Sequence, residues 1–139
     1  MNSGVTAYQS VGTGSAVEEA SRERLVQMLL DGALARVATA KGHLQRGDAA
    51  AKGEQLGKAI SIIEGLKASL NPDAGDLAQN LGDLYSYMGG RLLAANVEDD
   101  ALILDEVSDL LHEIKSAWDV LAAQSAAATD SVADGAGRP

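Results

Sequence analysis

His43 and His112 are the two residues whose side-chain type best suits covalent chemistry. An imidazole on a helical bundle can accept a phosphoryl group, as it does in a histidine phosphotransfer domain. Such a site needs a histidine in the middle of a helix, followed closely by Lys-Gly. Here Lys41-Gly42 precedes His43, which lies near a predicted helix end. We therefore interpret both histidines as solvated surface residues and keep a histidine phosphotransfer bundle as the alternative function.

Metal and nucleophile chemistry lack the residue sets they need. A di-iron carboxylate site requires Glu-x-x-His on two helices and a Glu from each of two others. The nearest match, Asp109-x-x-His112, occurs once and has an Asp in place of the Glu. Zinc would need several carboxylates here, because the chain has no cysteine and no carboxylate cluster is evident. No P-loop, G-x-S-x-G or dinucleotide-type glycine loop occurs. We expect no enzyme, no cofactor and no metal.

The composition is typical of a globular helical protein. The 139 residues are 46% hydrophobic and 22% charged, with one Trp, three Tyr and no Phe. A core of Leu, Ile, Val, Ala and Met suits close helix packing better than it suits strands.

The net charge of -9 is concentrated late in the chain. The stretch from Glu98 to Asp119 holds eight acidic residues and only Lys115 as a base, which indicates a solvated face or, alternatively, a surface for a basic partner. This charge argues against nucleic acid as a partner. No apolar run approaches about 18 residues, so we expect no membrane insertion. The N-terminus lacks the pattern of a Sec-type signal, and the absence of cysteine is compatible with the reducing cytoplasm.

Four segments have the apolar periodicity of helices. Gly47 is suited to end the first helix and Asp48 to cap the second. Asn71-Pro72 stops the second helix, and either Asp73 or Gly75-Asp76 starts the third. Asn96 is a reasonable terminator of the third helix. Short links between long helices predict antiparallel neighbours, so the fold class is all-α, an antiparallel up-down four-helix bundle over residues 17–121. The apolar positions are Val26, Leu29, Leu30, Ala33, Val37, Ala40 and Leu44; then Leu56, Ala59, Ile60, Ile63, Leu66 and Leu70; then Leu77, Leu81, Leu84, Met88, Leu92 and Ala95; and finally Leu104, Val107, Leu111, Ile114, Trp118 and Leu121.

The two ends of the chain differ from the predicted bundle. Residues 1–16 are rich in Gly, Ser and Thr, which predicts a flexible N-terminal arm that can form a short cap. Residues 122–139 are small and polar and have almost nothing to bury, so we expect a disordered tail there.

The third predicted helix carries more apolar side chains than a single buried stripe requires. Tyr85, Tyr87 and Leu93 lie beside its main stripe, and Ile62 lies beside the stripe of the second helix. These side chains form either a wide core stripe or a groove that accepts an amphipathic helix of a partner. Three glycines in the third helix, at positions 82, 89 and 90, suggest close backbone approach or tolerance of bending.

From about Ala7 to Leu121, the sequence resembles the FliS family of flagellar secretion chaperones. The order and spacing of several short segments together carry this resemblance, and Asn96 and the late Trp118 complete the order. The segments are Ala7-Tyr8-x-x-Val11, Arg24-Leu25-Val26-x-Met28-Leu29-Leu30-Asp31-Gly32-Ala33, Lys58-Ala59-Ile60-x-Ile62-Ile63 and Leu77-Ala78-x-Asn80-Leu81-x-x-Leu84-Tyr85-x-Tyr87-Met88.

The resemblance implies an antiparallel bundle that binds the disordered C-terminal region of flagellin in the cytosol. Such a chaperone buries the segment that would otherwise polymerise, presents flagellin to the flagellar export gate and, in some members, helps to restrain an anti-sigma factor. Carried over by position, the groove residues it implies are Ile62, Asn80, Leu81, Leu84, Tyr85 and Met88.

The resemblance also implies a role for the N-terminal arm. Tyr8 and Val11 would cover part of the groove when no client is bound, or Tyr8 would contact the export gate. Two departures from the family pattern stand out. Ser86 replaces an acidic residue and Gly89-Gly90 replaces longer side chains, so we expect a weaker third helix or an altered client contact there. Ser21-Arg22 replaces an Asp-Pro helix start, so we expect the first helix to begin earlier, near Ser15.

Overall fold

A computed structural model describes residues 15–136, and this part of the chain is all-helical, with no strand. The helices are α1 (Ser15–Gln45), α2 (Ala49–Ala68), α3 (Asp76–Glu98) and α4 (Ala101–Ala136), with a 3-10 turn at Pro72–Ala74. The four-helix prediction is confirmed, and α1 begins before Ser21, as expected. The N-terminal arm up to residue 14, with Tyr8 and Val11, lies outside the described residues.

The link between α1 and α2 is built from the two residues that the sequence indicates. Gly47 has a φ of 74°, a left-handed conformation that glycine adopts without steric cost. Asp48 then caps α2, because its carboxylate accepts a hydrogen bond from the Ala51 backbone N–H at 3.3 Å. At the next link, the Asn71 side chain caps the 3-10 turn by accepting from the Asp73 backbone N–H at 3.0 Å. A side-chain cap therefore stabilises the backbone in both links.

The end of α3 differs slightly from the expected stop at Asn96. The helix continues to Glu98, and Asp99 ends it in a left-handed conformation with a φ of 52°. Lys52 of α2 donates to the Asn96 carbonyl at 2.9 Å and forms an ion pair with Asp99. This lysine satisfies a carbonyl that the end of a helix leaves without a partner.

The chain divides into two compact units, a central unit of residues 28–115 and a terminal unit formed by the residues before and after it. The central unit contains the apolar core, to which all four helices contribute aliphatic side chains at helical spacing. The fully or nearly fully buried apolar residues are Leu30, Ala33, Val37 and Ala40 of α1; Leu56, Ala59, Ile63 and Leu66 of α2; Tyr85, Met88, Leu92 and Ala95 of α3; and Ile103, Leu104, Val107, Leu111 and Ile114 of α4.

Polar contacts in the central unit show that neighbouring helices are antiparallel. Along each contacting pair, the residue number rises on one helix as it falls on the other. The contacts are Lys52–Asn96 and Lys67–Ser86 between α2 and α3, and Asp31–Lys115 and Lys41–Asp105 between α1 and α4.

The terminal unit includes most of the segment for which we expected a disordered tail. Helix α4 continues through Ala136, so residues 122–136 are helical. The physical reason is local, because the segment after Leu121 is rich in alanine, the residue with the highest helix propensity. Within this unit, the Gln27 side-chain amide donates to the Asp119 carboxylate at 2.6 Å.

Candidate functional site

The apolar face of α3 is buried along its C-terminal half and partly or largely exposed along its N-terminal half. Steps of three and four residues place Leu77, Leu81 and Leu84 in line with Met88 and Leu92. Met88 and Leu92 are completely buried, Leu84 and Leu81 are partly exposed, and Leu77 is 62% exposed. The apolar stripe of α3 thus continues beyond the part of the helix that is buried in the core. We call Leu77, Leu81 and Leu84 the open half of α3.

The end of α2 lies beside the open half. A Cβ atom at Gly82 would be 3.4 Å from Leu70 Cδ1, so the Leu70 side chain rests against the α3 backbone. One turn further along α3, the Lys67 ammonium donates to the Ser86 hydroxyl at 2.7 Å. A Cβ at Gly89 or Gly90 would meet nothing within 4 Å. Close approach therefore explains only the glycine at position 82.

The structure separates the six residues predicted to line the groove. Tyr85 and Met88 are completely buried and belong to the core in this structure. Asn80 is exposed, and Leu81 and Leu84 are partly exposed on the same half of α3.

Ile62 lies on a different side of α2 from the residues that face α3. A Cβ at Gly32 of α1 would be 3.5 Å from Ile62 Cδ1, and Gln55, seven residues before Ile62, accepts from Arg36 of α1 at 3.2 Å. Ile62 therefore faces α1, whereas Lys67 faces α3. Asn80, Leu81 and Leu84 are brought together, and Ile62 is not joined to them.

A polar cluster joins the exposed surfaces of α3 and α4. The Tyr87 hydroxyl donates to Glu106 Oε2 at 2.7 Å, and Arg91 Nε donates to Glu106 Oε1 at 2.8 Å. The hydrogen bond to the carboxylate raises the pKa of Tyr87. The same bonds from Tyr87 and Arg91 hold the pKa of Glu106 below its usual value. The cluster fixes the two helices side by side and offers no nucleophile.

The histidines have surroundings that suit surface residues. His43 is in the last turn of α1. Its Nδ1 atom lies 3.1 Å from an Arg46 guanidinium nitrogen and 3.8 Å from the Asp48 carboxylate, both of which follow the helix. His112 is exposed on α4. Among residues 15–136, no three His, Cys, Asp or Glu side chains are grouped so that they could hold a metal ion.

Sequence reasoning missed two features of the α3–α4 hairpin. Val97 and Leu102 are 83% and 75% exposed. The exposure of Val97 could have been predicted, since nine steps of about 100° place it on the side of α3 opposite Met88. Lys52 is only 3% exposed. Its role in capping α3 could not be predicted from the sequence, because a lysine is ordinarily a surface residue.

These features define a class of protein: a helical bundle whose described surface offers apolar side chains for contact and no assembled catalytic group. Within the described helices, no segment is long and apolar enough to cross a bilayer. Residues 4–125 match the family model described as "Flagellar protein FliS".

Proteins of known name agree with the family match. The chain is 48% identical over 118 residues to the flagellar secretion chaperone FliS of Salmonella typhimurium, covering 84% of this chain and 87% of that protein. It is 47% identical over 113 residues to the flagellar secretion chaperone FliSB of Pseudomonas aeruginosa, covering 81% and 90%. It is 34% identical over 113 residues to FliS of Bacillus subtilis, covering 81% of each. The chain belongs to the FliS family of flagellar secretion chaperones, a family of chaperones and not of enzymes.

Proposed function

We propose that this chain is a cytoplasmic export chaperone that binds the C-terminal region of flagellin. Binding would keep flagellin from polymerising before export and would help to deliver it to the flagellar export apparatus. The observation that carries the proposal is the open half of α3, where the apolar stripe that is buried further along the helix becomes exposed. The names of the relatives support the flagellar role.

The exposed leucines suit a client that is disordered until it binds. Such a segment loses conformational entropy when it orders, so it needs extended apolar contact to compensate. Leu77, Leu81 and Leu84 provide a stripe of three leucines across about two turns of helix. Asn80 lies exposed beside them and can hydrogen-bond the client backbone. Tyr85 and Met88, beneath this surface, would support it rather than contact the client directly.

Ile62 would belong to a second client contact. It is partly exposed and faces α1, so one short helix would not reach both it and the open half of α3. A client that wraps around the bundle would reach both. In this proposal Tyr8 and Val11 of the N-terminal arm cover the apolar surface before the client arrives, or Tyr8 contacts the export gate. Contact with an anti-sigma factor is a further proposed role.

Binding of a synthetic peptide covering the C-terminal region of flagellin tests the proposal by calorimetry. We expect the double variant Leu81→Ser/Leu84→Ser to bind at least about tenfold more weakly than the unmodified chain, because each buried leucine contributes about 1.5–3 kcal/mol. The matched control is Leu93→Ser, also an exposed leucine of α3. Equal affinities for all three chains would remove the open half of α3 from the proposed function.

The N-terminal cap requires its own comparison. Deleting residues 1–14 should leave the thermal unfolding curve of the bundle nearly unchanged and should raise the affinity for the flagellin peptide, since no arm competes with the client. Hydrogen exchange at the open half should also speed up. Unchanged affinity together with unchanged exchange would refute the cap.

A further inference from the structure

A second apolar surface lies at the tip of the α3–α4 hairpin. Leu93 is 58% exposed, and Val97 and Leu102 are 83% and 75% exposed. Leu93 and Val97 are four residues apart, so they lie on one side of α3. Only Asp99 and Asp100 link α3 to α4. Leu102, near the start of α4, therefore lies at the same end of the hairpin as Val97, near the end of α3. We call Leu93, Val97 and Leu102 the hairpin-tip patch, and all three belong to the central unit.

The patch is not a displaced piece of core. The core at this end is filled by Ala95 of α3 and by Ile103 and Leu104 of α4, all of which are buried. Val97 points away from that core, because it comes nine positions after the buried Met88 and therefore lies on the opposite side of the helix.

The backbone beneath the patch is held on both sides of the link. The buried Lys52 ammonium bonds the Asn96 carbonyl and pairs with Asp99. The Asp100 carboxylate accepts from the Leu102 backbone N–H at 2.9 Å. A surface held in this way does not need to be ordered when a partner binds, which lowers the entropic cost of binding.

The surroundings of the patch are acidic. Of the four residues between Val97 and Leu102, three are acidic: Glu98, Asp99 and Asp100. Two nearby cations are already engaged, since Lys52 is buried against Asp99 and Arg91 is bonded to Glu106. An apolar centre with a negative rim favours a partner that combines apolar and cationic side chains. The same charge disfavours an anionic membrane, and it disfavours a second copy that would place this acidic tip against itself.

We propose that the hairpin-tip patch docks a basic amphipathic helix of a second protein. The partner helix would place apolar residues over Leu93, Val97 and Leu102 and its Lys or Arg side chains beside Glu98 and Asp100. Leu93 and Val97 are about 18 Å and about 24 Å along α3 from Leu81, at about 1.5 Å per residue, and they lie on another side of the helix. A chaperone could therefore bind such a partner while the open half of α3 is occupied, and the inference stands apart from the flagellin proposal.

Synthetic helical peptides test this chemistry on the full chain. The probe is an amphipathic Leu/Lys peptide; the comparison peptides are a Leu/Glu peptide of the same spacing and a Leu/Lys peptide scrambled so that it has no apolar face. We expect the amphipathic Leu/Lys peptide to bind most tightly, at least about tenfold more tightly than either comparison peptide. Val97→Ser/Leu102→Ser should weaken that binding by about tenfold or more, whereas the control Leu77→Ser/Leu81→Ser should leave it unchanged. Both double variants should keep the helicity and cooperative unfolding of the unmodified chain, because Leu77, Val97 and Leu102 are exposed and Leu81 is partly exposed.

Several outcomes would overturn the inference. Equal binding of the scrambled Leu/Lys peptide would reduce the effect to non-specific charge attraction. Equal binding of the Leu/Glu peptide would remove the role of the acidic rim. Full competition by the flagellin C-terminal peptide would place the patch within the client surface. A concentration-dependent dimer that Val97→Ser/Leu102→Ser abolishes would make a second copy the occupant.

Discussion

The two halves of α3 carry the same apolar period but have different environments. In the C-terminal half, Met88 and Leu92 are completely buried, and Lys52 caps the end of the helix. In the N-terminal half, the stripe continues through Leu84 and Leu81, which are partly exposed, to Leu77, which is 62% exposed. Periodicity thus shows which side of a helix is apolar, whereas the neighbouring helices determine whether that side is core or binding surface.

Replacing one leucine with alanine in each half of α3 should produce the largest difference in the free energy of unfolding. Leu92→Ala should lower the free energy of unfolding by about 2–5 kcal/mol, because it leaves a cavity among buried side chains. Leu81→Ala should cost about 1 kcal/mol or less, because Leu81 is partly exposed. Urea unfolding of both variants measures the difference. Equal losses would mean that the open half is packed as core in solution.

Removing the cap of the C-terminal half should have the next largest effect. Lys52→Met keeps most of the apolar stem but leaves the Asn96 carbonyl without its donor, so we expect a loss of about 1–3 kcal/mol. The matched control is Lys58→Met, since Lys58 forms an exposed pair with Glu54 at 3.2 Å, worth about 0.3–0.5 kcal/mol. Chemical denaturation of both variants gives the comparison, and similar losses would show that the buried lysine is no more than a surface ion pair.

The glycines of α3 should respond to substitution with alanine according to their surroundings. Gly90→Ala should stabilise the protein by about 1 kcal/mol, because alanine is the better helix former and a Cβ there meets nothing within 4 Å. Gly82→Ala should gain less, because its Cβ would be 3.4 Å from Leu70 Cδ1. Thermal unfolding measures both. A destabilised Gly90→Ala variant would show that the helix needs glycine for a reason other than space.

The smallest expected effect concerns the cluster that joins α3 to α4. Glu106→Gln should lower the pKa of Tyr87 towards its usual value, since the carboxylate that accepts its hydrogen bond is gone. The pKa of Glu106 is lowered in the folded chain, so its stabilising effect is present above its unfolded pKa. That contribution disappears as the pH falls through the folded pKa, and the variant should lack this part of the acid dependence. NMR titration of the Tyr87 ring checks the first shift, and acid unfolding checks the second.

Much of the fold was accessible from the sequence because its signals are local. Gly47, Asp48 and Asn71 end or cap their elements as their side-chain chemistry indicates, and the four apolar stripes predicted the four helices. The absence of large apolar side chains after Leu121 led us to expect a disordered tail, whereas α4 continues through Ala136 in a segment rich in alanine, the residue with the highest helix propensity.

The candidate site could be predicted only in part. Tyr85 and Leu84 are adjacent, yet one is core and the other is partly exposed. That difference depends on how far α2 reaches along α3, which no local pattern records. Ile62 illustrates the same limit, because its stripe does not reveal that it faces α1. The roles of Tyr8 and Val11 stay predictions, since they lie outside the described residues.

Methyl NMR of the full chain with and without the flagellin C-terminal peptide tests whether the client binds at the open half of α3. Leucine methyl signals from both halves of α3 can be followed in one sample. We predict that saturating peptide shifts the methyl signals of Leu77, Leu81 and Leu84 strongly and those of Leu93 and Val97 little. Strong shifts at Leu93 and Val97 with none at the open half would contradict the account.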